Sequence, residues 1–127
     1  MKINCGTDII EVKRIKNAVE KWGKGFLKRI FTQQEIDYSL HRSFCFEHLS
    51  ARFAAKEAVF KAFGTGFSSA DFKNVEIVND QRGRPYVILK GNMKFLFGKL
   101  FAEQLTISMS HTQSLAQAVA ILVVKDV

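Results

Sequence analysis

An acidic and a basic side chain stand one helical turn apart in the segment RFAAKEAVFKAFGTG, which runs from Arg52 to Gly66. At about 100° per residue, Glu57 and Lys61 share one lane of a helix that is otherwise rich in alanine and phenylalanine. A helix that is apolar on nearly all sides is expected to be buried. A carboxylate on a buried helix needs a partner or a metal ion. Two interpretations of Glu57 therefore stay open, an ion pair with Lys61 and coordination of a metal.

A second acidic residue, Asp8, stands in the otherwise apolar segment CGTDII near the N-terminus. Gly-Thr-Asp is typical of turns, so a local capping role is one interpretation of Asp8. The other is that Asp8 and Glu57, from different elements, hold a hard divalent cation. Mg²⁺ commonly takes one or two carboxylates together with substrate phosphates and water. Lys61, one turn from Glu57, is then placed to meet a phosphate oxygen.

Two polar segments are compatible with a phosphorylated ligand. The Gly-Thr-Gly at 64–66 lets the backbone approach a ligand closely, and it equally suits the end of a helix. The chain contains neither a complete dinucleotide fingerprint nor a phosphate-loop motif. The segment SMSHT places Ser110, His111 and Thr112 at a predicted strand end, where phosphate binding and a structural role are both open. Because Ser110 and His111 are adjacent, they do not form a nucleophile–base pair by sequence order alone.

The N-terminal half predicts one strand and three helices. Residues 2–11 indicate a strand broken by Gly6, and apolar residues then recur at helical spacing from Val12 to Trp22. Gly23 and Gly25 are expected to end that helix. The segment TQQE at 32–35 is a capping-box pattern, which predicts a short helix after it. A long helix is predicted near 47–63, with Gly64 as its natural stop.

The C-terminal half predicts mostly strands. The segment VEIVNDQRGRPYVIL at 75–89 has two β-rich runs around a polar turn, which indicates a hairpin. Residues 92–103 have a weak helical preference, and LTISMSH and AQAVAILVV indicate the last two strands. Helices and antiparallel strands are mixed without a βαβ rhythm. The sequence therefore predicts the α+β class.

The composition predicts one globular domain over residues 1–127. The chain is 47% hydrophobic, with twelve phenylalanines and one proline, which is enough apolar material for a core. No apolar run approaches the length of a membrane span, and the first ten residues do not form a signal peptide. Cys5 and Cys45 make no C-x-x-C pair, which favours two reduced thiols in a cytoplasmic protein.

The formal net charge of +7 favours an acidic partner, such as nucleic acid, anionic lipid, a phosphorylated ligand or an acidic protein. The charges of the first predicted helix are nearly all positive, as at Lys13, Arg14 and Lys21. A solvated helix face and a docking surface for an acidic partner both stay open for this helix.

Five segments, taken together and in this order, resemble one family: GTDIIEVKRI, RIFTQQE, RFAAKEAVFKAFGTG, GRPYV and ISMSH. They resemble the bacterial holo-[acyl-carrier-protein] synthases, the small single-domain type of 4′-phosphopantetheinyl transferase. The resemblance covers nearly the whole chain. It implies transfer of the phosphopantetheine arm of coenzyme A to a serine of apo acyl carrier protein, with release of adenosine 3′,5′-bisphosphate, in fatty acid biosynthesis. It also implies a Mg²⁺-dependent α+β homotrimer, with coenzyme A in clefts between subunits.

The resemblance assigns roles to individual residues. Asp8 and Glu57 correspond to the metal ligands, Lys61 to a lysine near the transferring phosphate, and His111 to a histidine in the coenzyme A cleft. The residues expected near the nucleotide are Arg52, Gly64, Thr65, Gly66, Pro85 and Thr112. The base that takes the serine proton is left open between Glu57, acting through a water molecule, and His111.

The resemblance also implies a partner surface. Arg14 corresponds to a basic position on the helix that docks the carrier protein, and Lys13 and Lys21 belong to the same helix. Acyl carrier proteins are expected to be acidic, so a basic first helix would mainly increase the encounter rate and fix the register. Neither a nucleic acid nor a membrane is expected as a partner.

Two other hypotheses fit parts of the sequence. A nucleic-acid-binding domain without catalysis would explain the charge and the phenylalanines, but no RNP-like, zinc-finger or helix-turn-helix signature is present. That hypothesis leaves Asp8 and Glu57 unexplained. An inactive scaffold could use the basic helix only to hold a partner, but the intact set of Asp8, Glu57 and Lys61 argues against it.

Overall fold

The computed structural model of the protein describes residues 1–64 and 68–126 and confirms the α+β class. In chain order the elements are β1 (Lys2–Glu11), α1 (Val12–Trp22), α2 (Lys24–Ile30), α3 (Gln33–Leu40), α4 (Cys45–Phe63), a 3₁₀ helix (Ser69–Asn74), β2 (Val75–Asn79), β3 (Pro85–Leu89), α5 (Gly91–Lys99), β4 (Ala102–His111) and β5 (Leu115–Val124). All strand pairs are antiparallel. In the described part of the chain, no helix is long and apolar enough to cross a membrane.

A three-stranded sheet in the order β1-β5-β4 forms one layer of the structure, and the β2–β3 hairpin forms a separate two-stranded sheet. Asp8 pairs with Ala118, and His111 pairs with Ala116. Ala116, Ala118 and the alternate residues that follow them on β5 are buried, because this face of the sheet packs against α4. The register therefore turns Asp8 and His111 toward the side of the sheet that α4 covers.

Helix α4 is the centre of the core. It buries small and aromatic side chains together, among them Ala54, Ala58 and Phe60, all with no exposed surface. Two of its charged residues, Arg52 and Lys56, are buried as well. Lys56 Nζ lies 2.9 Å from Glu35 Oε1 on α3 and donates to the carbonyl oxygens of Phe72 and Val75. This buried ion pair connects α4 to α3 and to the start of the hairpin.

Gly6 allows β1 to lie directly on α4. A Cβ atom at this position would lie 2.0 Å from the carbonyl oxygen of Ala58 and 2.7 Å from the backbone nitrogen of Ala62. Real Cβ atoms do not approach other atoms so closely, so only glycine fits here. The prediction that Gly6 breaks the strand was wrong, because β1 continues through it.

Most local predictions agree with the structure. The long helix begins at Cys45, two residues before the predicted start, and ends with Gly64 in the left-handed conformation at φ 73°. The capping box of Thr32 and Glu35 is formed, and the hairpin and last two strands are in place. The weak helical preference of residues 92–103 corresponds to α5, but residues 102–103 belong to β4 instead.

The segment after α1 differs from its prediction. Gly23 ends α1, but Gly25 lies inside α2. The sequence did not predict α2, because both glycines are typical of the end of a helix. The helical spacing of apolar residues holds as far as Val19, whereas Trp22 is 63% exposed. Trp22 thus continues the helical spacing of apolar residues in α1, but its side chain is not part of the buried face of the helix.

We expect Gly6→Ala to destabilise the protein by about 3 kcal/mol, because the added methyl overlaps backbone atoms that cannot move without displacing α4. The corresponding fall in Tm is roughly 10 °C, measured by thermal unfolding at one fixed protein concentration. The matched control is Gly25→Ala, where an added Cβ meets nothing within 4 Å. Since alanine is the better helix former, that variant should keep or slightly raise the Tm. An unchanged Tm in Gly6→Ala would contradict the close approach of β1 to α4.

Candidate functional site

Strand β1 and the last turns of α4 bring Asp8, Glu57 and Lys61 together, and we call these three residues the carboxylate cluster. Lys61 Nζ lies 3.2 Å from Asp8 Oδ1 and donates to the carbonyl oxygen of Thr7 at 2.8 Å. Lys61 thus pairs with Asp8 rather than with Glu57, so the intrahelical ion pair is not formed. Asp8 stands inside a strand rather than at a turn. Of the interpretations left open by the sequence, the structure therefore favours a shared site over two local roles.

The carboxylate cluster contains two acidic side chains, Asp8 and Glu57, but only one basic side chain, Lys61. Within residues 1–64 and 68–126, the side chain of Glu57 has neither a hydrogen bond nor an ion pair. Partial burial raises the pKa of the Glu57 carboxyl, the nearby Asp8 carboxylate raises it further, and Lys61 opposes both effects. The ammonium group of Lys61 pairs with Asp8, and Glu57 is left without a partner in the described part of the chain.

This donor set fits a hard divalent cation such as Mg²⁺. Both groups are carboxylates, and Mg²⁺ is usually held by one or two carboxylates with substrate phosphates and water. The described part of the chain contains no group of three or more histidine, cysteine, aspartate or glutamate residues that could hold a metal. Asp8 and Glu57 would therefore be the protein's share of such a site, with the other ligands coming from substrate and solvent.

A second group of functional side chains surrounds the first half of α4. We call it the imidazole cluster, and its members are Tyr38, Arg42, His48, Arg52 and His111. The ring centroids of His48 and His111 are 5.4 Å apart, and those of His48 and Tyr38 are 6.0 Å apart. The guanidinium carbons of Arg42 and Arg52 lie 3.5 and 4.2 Å from the centre of the Tyr38 ring. This is a cation–π arrangement that gathers positive charge around one aromatic ring.

Arg52 is placed more deeply than the sequence indicates. Its side chain is 2% exposed and donates from Nη2 to Asn79 Oδ1, and burial lowers the pKa of the guanidinium. Its Nε atom has no hydrogen-bond partner in the described part of the chain. The predicted contact with the nucleotide stays a prediction, and the structure gives Arg52 a position behind His48 rather than at the surface.

The remaining predicted residues lie in three places. Pro85 begins β3 and lines a depression of about 330 Å³ together with residues of β4 and β5. The hydroxyl of Thr112 accepts hydrogen bonds from the backbone of Ser114 and Leu115, which organises the β4–β5 turn. Gly64 caps α4 beside Lys61. The predictions for Thr65 and Gly66 fall outside the described residues.

The predicted site residues form two groups rather than one. At a rise of about 1.5 Å per residue, His48 and Lys61 are roughly 20 Å apart along the axis of α4. The carboxylate cluster lies near the end of this helix, and the imidazole cluster lies near its start. Residue numbers alone do not reveal this separation, because Arg52 and Glu57 stand in one short motif.

Sequence reasoning missed three members of the imidazole cluster. The sequence alone assigns no functional role to Tyr38, Arg42 or His48. One signal was available, since His48 and Arg52 are four residues apart and therefore share a helix face. The other two residues come from α3 and the turn after it, and only the tertiary fold brings them to His48.

Comparison with known proteins identifies the class. A family model of the 4′-phosphopantetheinyl transferase superfamily matches residues 4–120. The chain belongs to this superfamily, and the resemblance stated from its motifs is confirmed. The match includes both clusters, since Asp8 and His111 lie within it.

Curated relatives of this chain are holo-[acyl-carrier-protein] synthases. The one from Ruminiclostridium cellulolyticum is 44% identical, over 99% of this chain and 96% of its own length. The one from Protochlamydia amoebophila is 45% identical, over 95% of this chain and 98% of its own length. The similarity therefore extends over nearly the full length of these enzymes.

Solved structures show the same fold. The crystal structure of the holo-[acyl-carrier-protein] synthase from Neisseria meningitidis has a TM-score of 0.85 and is 31% identical, covering 94% of this chain and 96% of that one. An ACPS–CoA complex from Chronobacterium ammoniagenes has a TM-score of 0.86 and is 26% identical, covering 99% and 100%. The latter was solved as a complex with coenzyme A.

The raised pKa of Glu57 predicts a pH-dependent effect on stability. The folded protein binds this proton more tightly than the unfolded chain, so stability falls as pH rises from about 4.5 through the folded-state pKa. We expect metal-free Glu57→Gln to melt at a higher temperature than the wild type near pH 8, with the difference vanishing below about pH 4. Thermal unfolding in the presence of a chelator measures the Tm of the wild type and of Glu57→Gln at each pH.

The control for this experiment is Glu103→Gln, which removes an exposed carboxylate on β4. It should leave the Tm difference between high and low pH unchanged. Added Mg²⁺ should raise the Tm of the wild type more than that of Glu57→Gln, because the variant lacks one ligand. A Glu57→Gln variant that is less stable than the wild type near pH 8 would contradict the unpaired state of this carboxylate.

Proposed function

We propose that this protein transfers the 4′-phosphopantetheine group from coenzyme A to a serine of apo acyl carrier protein, releasing adenosine 3′,5′-bisphosphate, in fatty acid biosynthesis. The observation that carries the proposal is the carboxylate cluster, in a chain that belongs to the phosphopantetheinyl transferase superfamily. Relatives that match over nearly their full length are holo-[acyl-carrier-protein] synthases, and one solved neighbour is a complex with coenzyme A. We place the activity in one domain over residues 1–127.

The chemistry requires a charged pyrophosphate to be held while one of its bonds breaks. The serine oxygen attacks the phosphorus that carries the pantetheine arm, the bond to the bridging oxygen breaks, and the bisphosphate leaves with the electron pair. Lys61 is half exposed at the edge of the core, so its ammonium group can contact a phosphate oxygen as charge develops. In phosphoryl transfer such positioning and charge stabilisation supply most of the catalysis.

Asp8 and Glu57 suit a Mg²⁺ ion in this reaction. Such an ion would supply Lewis-acid stabilisation of the pyrophosphate charge. Asp8 is oriented for this role by its strand, which pairs with β5, and by its contact with Lys61. The serine proton needs a base, for which Glu57 and His111 are the candidates. Glu57 is the candidate we favour, because burial and the nearby Asp8 carboxylate raise its pKa, which makes it a stronger base than an exposed glutamate.

We also propose a homotrimer with its sites between subunits. Two features of the chain support this. The face of the β1-β5-β4 sheet that α4 does not cover carries apolar residues, including Ile3 and Ile9, which are 60% and 61% exposed. The two clusters lie at opposite ends of α4, so a second copy can complete a site that one chain leaves divided. A sedimentation mass of one chain would contradict this assembly.

The basic helix α1 is proposed to dock the acidic carrier protein. Arg14 and Lys21 are seven residues apart and exposed on one side of α1. Beside them is a cavity of about 410 Å³, lined by Ala18, Trp22, Gly25, Phe26 and Arg29. An exposed aromatic pocket next to two cations suits a partner helix that is both acidic and amphipathic. Lys13 lies 3.5 Å from Glu11, so its charge is partly engaged within the chain.

A cytoplasmic location is proposed for the same protein. Both cysteines are free, as a reducing compartment requires. The proposed substrates, coenzyme A and a carrier protein for fatty acid synthesis, would meet the enzyme there.

The direct test is the intact mass of an apo acyl carrier protein after incubation with this protein, coenzyme A and Mg²⁺. We expect a mass gain of one phosphopantetheine group, which a chelator should prevent. Asp8→Asn and Glu57→Gln should each lower the rate on the order of 100-fold or more, because each removes a charged ligand. Circular dichroism should show that both variants are folded.

The matched control for these variants is Glu103→Gln, an exposed carboxylate away from α4, which should turn over at the wild-type rate. If neither Asp8→Asn nor Glu57→Gln slows the transfer, the carboxylate cluster is not the active site. If the wild type gives no mass gain with a competent carrier protein, the transferase proposal fails as a whole.

Reversal of a positive charge on α1 should weaken binding of the carrier protein and leave binding of coenzyme A unchanged. We expect Arg14→Glu to raise the KM for the carrier protein about tenfold, or about 1.4 kcal/mol, and to weaken its dependence on ionic strength. The KM for coenzyme A should stay unchanged. Lys94→Glu makes the same change in net charge on α5, so it separates a local effect from a general one. Equal effects of the two variants, or a change in the KM for coenzyme A, would contradict docking on α1.

A further inference from the structure

His48 contacts His111 on one side and Tyr38, whose ring lies against the guanidinium groups of Arg42 and Arg52, on the other. It lies on α4, where its ring meets His111 at an interplanar angle of 72° and Tyr38 at 88°. Both contacts are edge-to-face, the arrangement that aromatic rings prefer. The Tyr38 ring is in turn covered by the guanidinium groups of Arg42 and Arg52. His48 therefore connects the exposed end of β4 to the half-buried ring of Tyr38 on α3.

The imidazole of His111 has little other support. His111 is the last residue of β4, and it is exposed. Within residues 1–64 and 68–126, its side chain makes no hydrogen bond, and its ring contact is with His48. A side chain at a strand end with no hydrogen bond would otherwise sample several rotamers. The contact with His48 limits that freedom.

We propose that His48 is a positioning residue for the transferase reaction, whose ring holds the imidazole of His111 in one orientation toward coenzyme A. The proposal rests on the proposed function, in which His111 borders the coenzyme A cleft. It assigns His48 no contact with substrate. Its role is to reduce the conformational freedom that His111 would lose on binding.

The charge state of His48 suits this role. Burial lowers the pKa of its imidazole, and the neighbouring Arg52, His111 and Arg42 lower it further. Tyr38 is the other side chain that its ring contacts. His48 is thus neutral at physiological pH, so it packs against His111 without adding a repelling charge. Acidification that protonates His48 would place a cation beside Arg52 and His111 and weaken the arrangement.

Two substitutions separate the ring contact from the ionisable nitrogen. His48→Phe keeps an aromatic ring of similar width, whereas His48→Ala removes the ring. We expect His48→Ala to raise the KM for coenzyme A about tenfold, with a smaller change in kcat, because His111 is no longer held in place. His48→Phe should keep the wild-type KM at pH 8 and should lose less activity than the wild type on acidification. His41→Ala removes an exposed imidazole outside the cluster and serves as the control.

A second measurement needs no turnover. The chain has three histidines, so the imidazole signals of the labelled protein can be assigned with His41, His48 and His111 variants. In free protein, His48→Ala should shift and broaden the His111 signals, while His41→Ala should not. Unchanged His111 signals and an unchanged KM in His48→Ala would overturn the proposal. So would a loss in His48→Phe equal to that in His48→Ala, since the ring contact would then not be the cause.

The proposed function can be judged separately from this inference. Mass gain of the carrier protein with the wild-type enzyme supports the transferase function whatever the His48 variants do. If His111→Ala keeps the wild-type KM and kcat, His111 does not serve coenzyme A. That result would overturn the positioning role of His48 while leaving the transferase function in place.

Discussion

The contact between β1 and α4 at Gly6 determines the geometry of the candidate site. Small residues meet on both sides of this contact, with Ala58 and Ala62 on the helix and Ala118 and Ala120 on the sheet. Because no side chain keeps the two backbones apart, Asp8 reaches the lane of α4 that carries Glu57 and Lys61. A helix packed against large sheet residues would lie farther from the strand, and an aspartate side chain is too short to span the difference.

Helix α4 presents its two clusters in different directions. Residues four apart on a helix share a face, as His48 and Arg52 do, and as Glu57 and Lys61 do. The five-residue step from Arg52 to Glu57 turns the helix by roughly 140°, so the two pairs face different neighbours. The first pair faces Tyr38 and β4, and the second faces β1. A helix fixed on several sides cannot rotate to bring both pairs to one ligand, and this is why we propose that a second copy completes the site.

Features that depend on neighbouring residues along the chain can be predicted from the sequence. Features that depend on contacts between distant segments cannot. Helix caps, hairpin turns and strand alternation are local, and those predictions hold at Thr32, Gly64 and residues 75–89. Helix α2 was missed because a glycine inside a helix resembles a stop signal, and tertiary packing outweighs that preference. The pairing of Asp8 with the helix was predictable from residue type. The role of His48 was not, because its partners come from two other elements.

The two neighbouring charged residues Lys56 and Glu57 differ in whether their charges are compensated within the chain. Lys56 is buried, yet it has a carboxylate and two carbonyl oxygens as partners, so its charge is compensated and holds the core together. Glu57, its neighbour in sequence, has no such partner in the described part of the chain, and burial, followed by the nearby Asp8 carboxylate, raises its pKa. A folded protein tolerates an uncompensated carboxylate when a ligand supplies the missing charge. The same helix thus stabilises the fold through the lysine whose charge is compensated, and its uncompensated glutamate is the one we propose to serve the reaction.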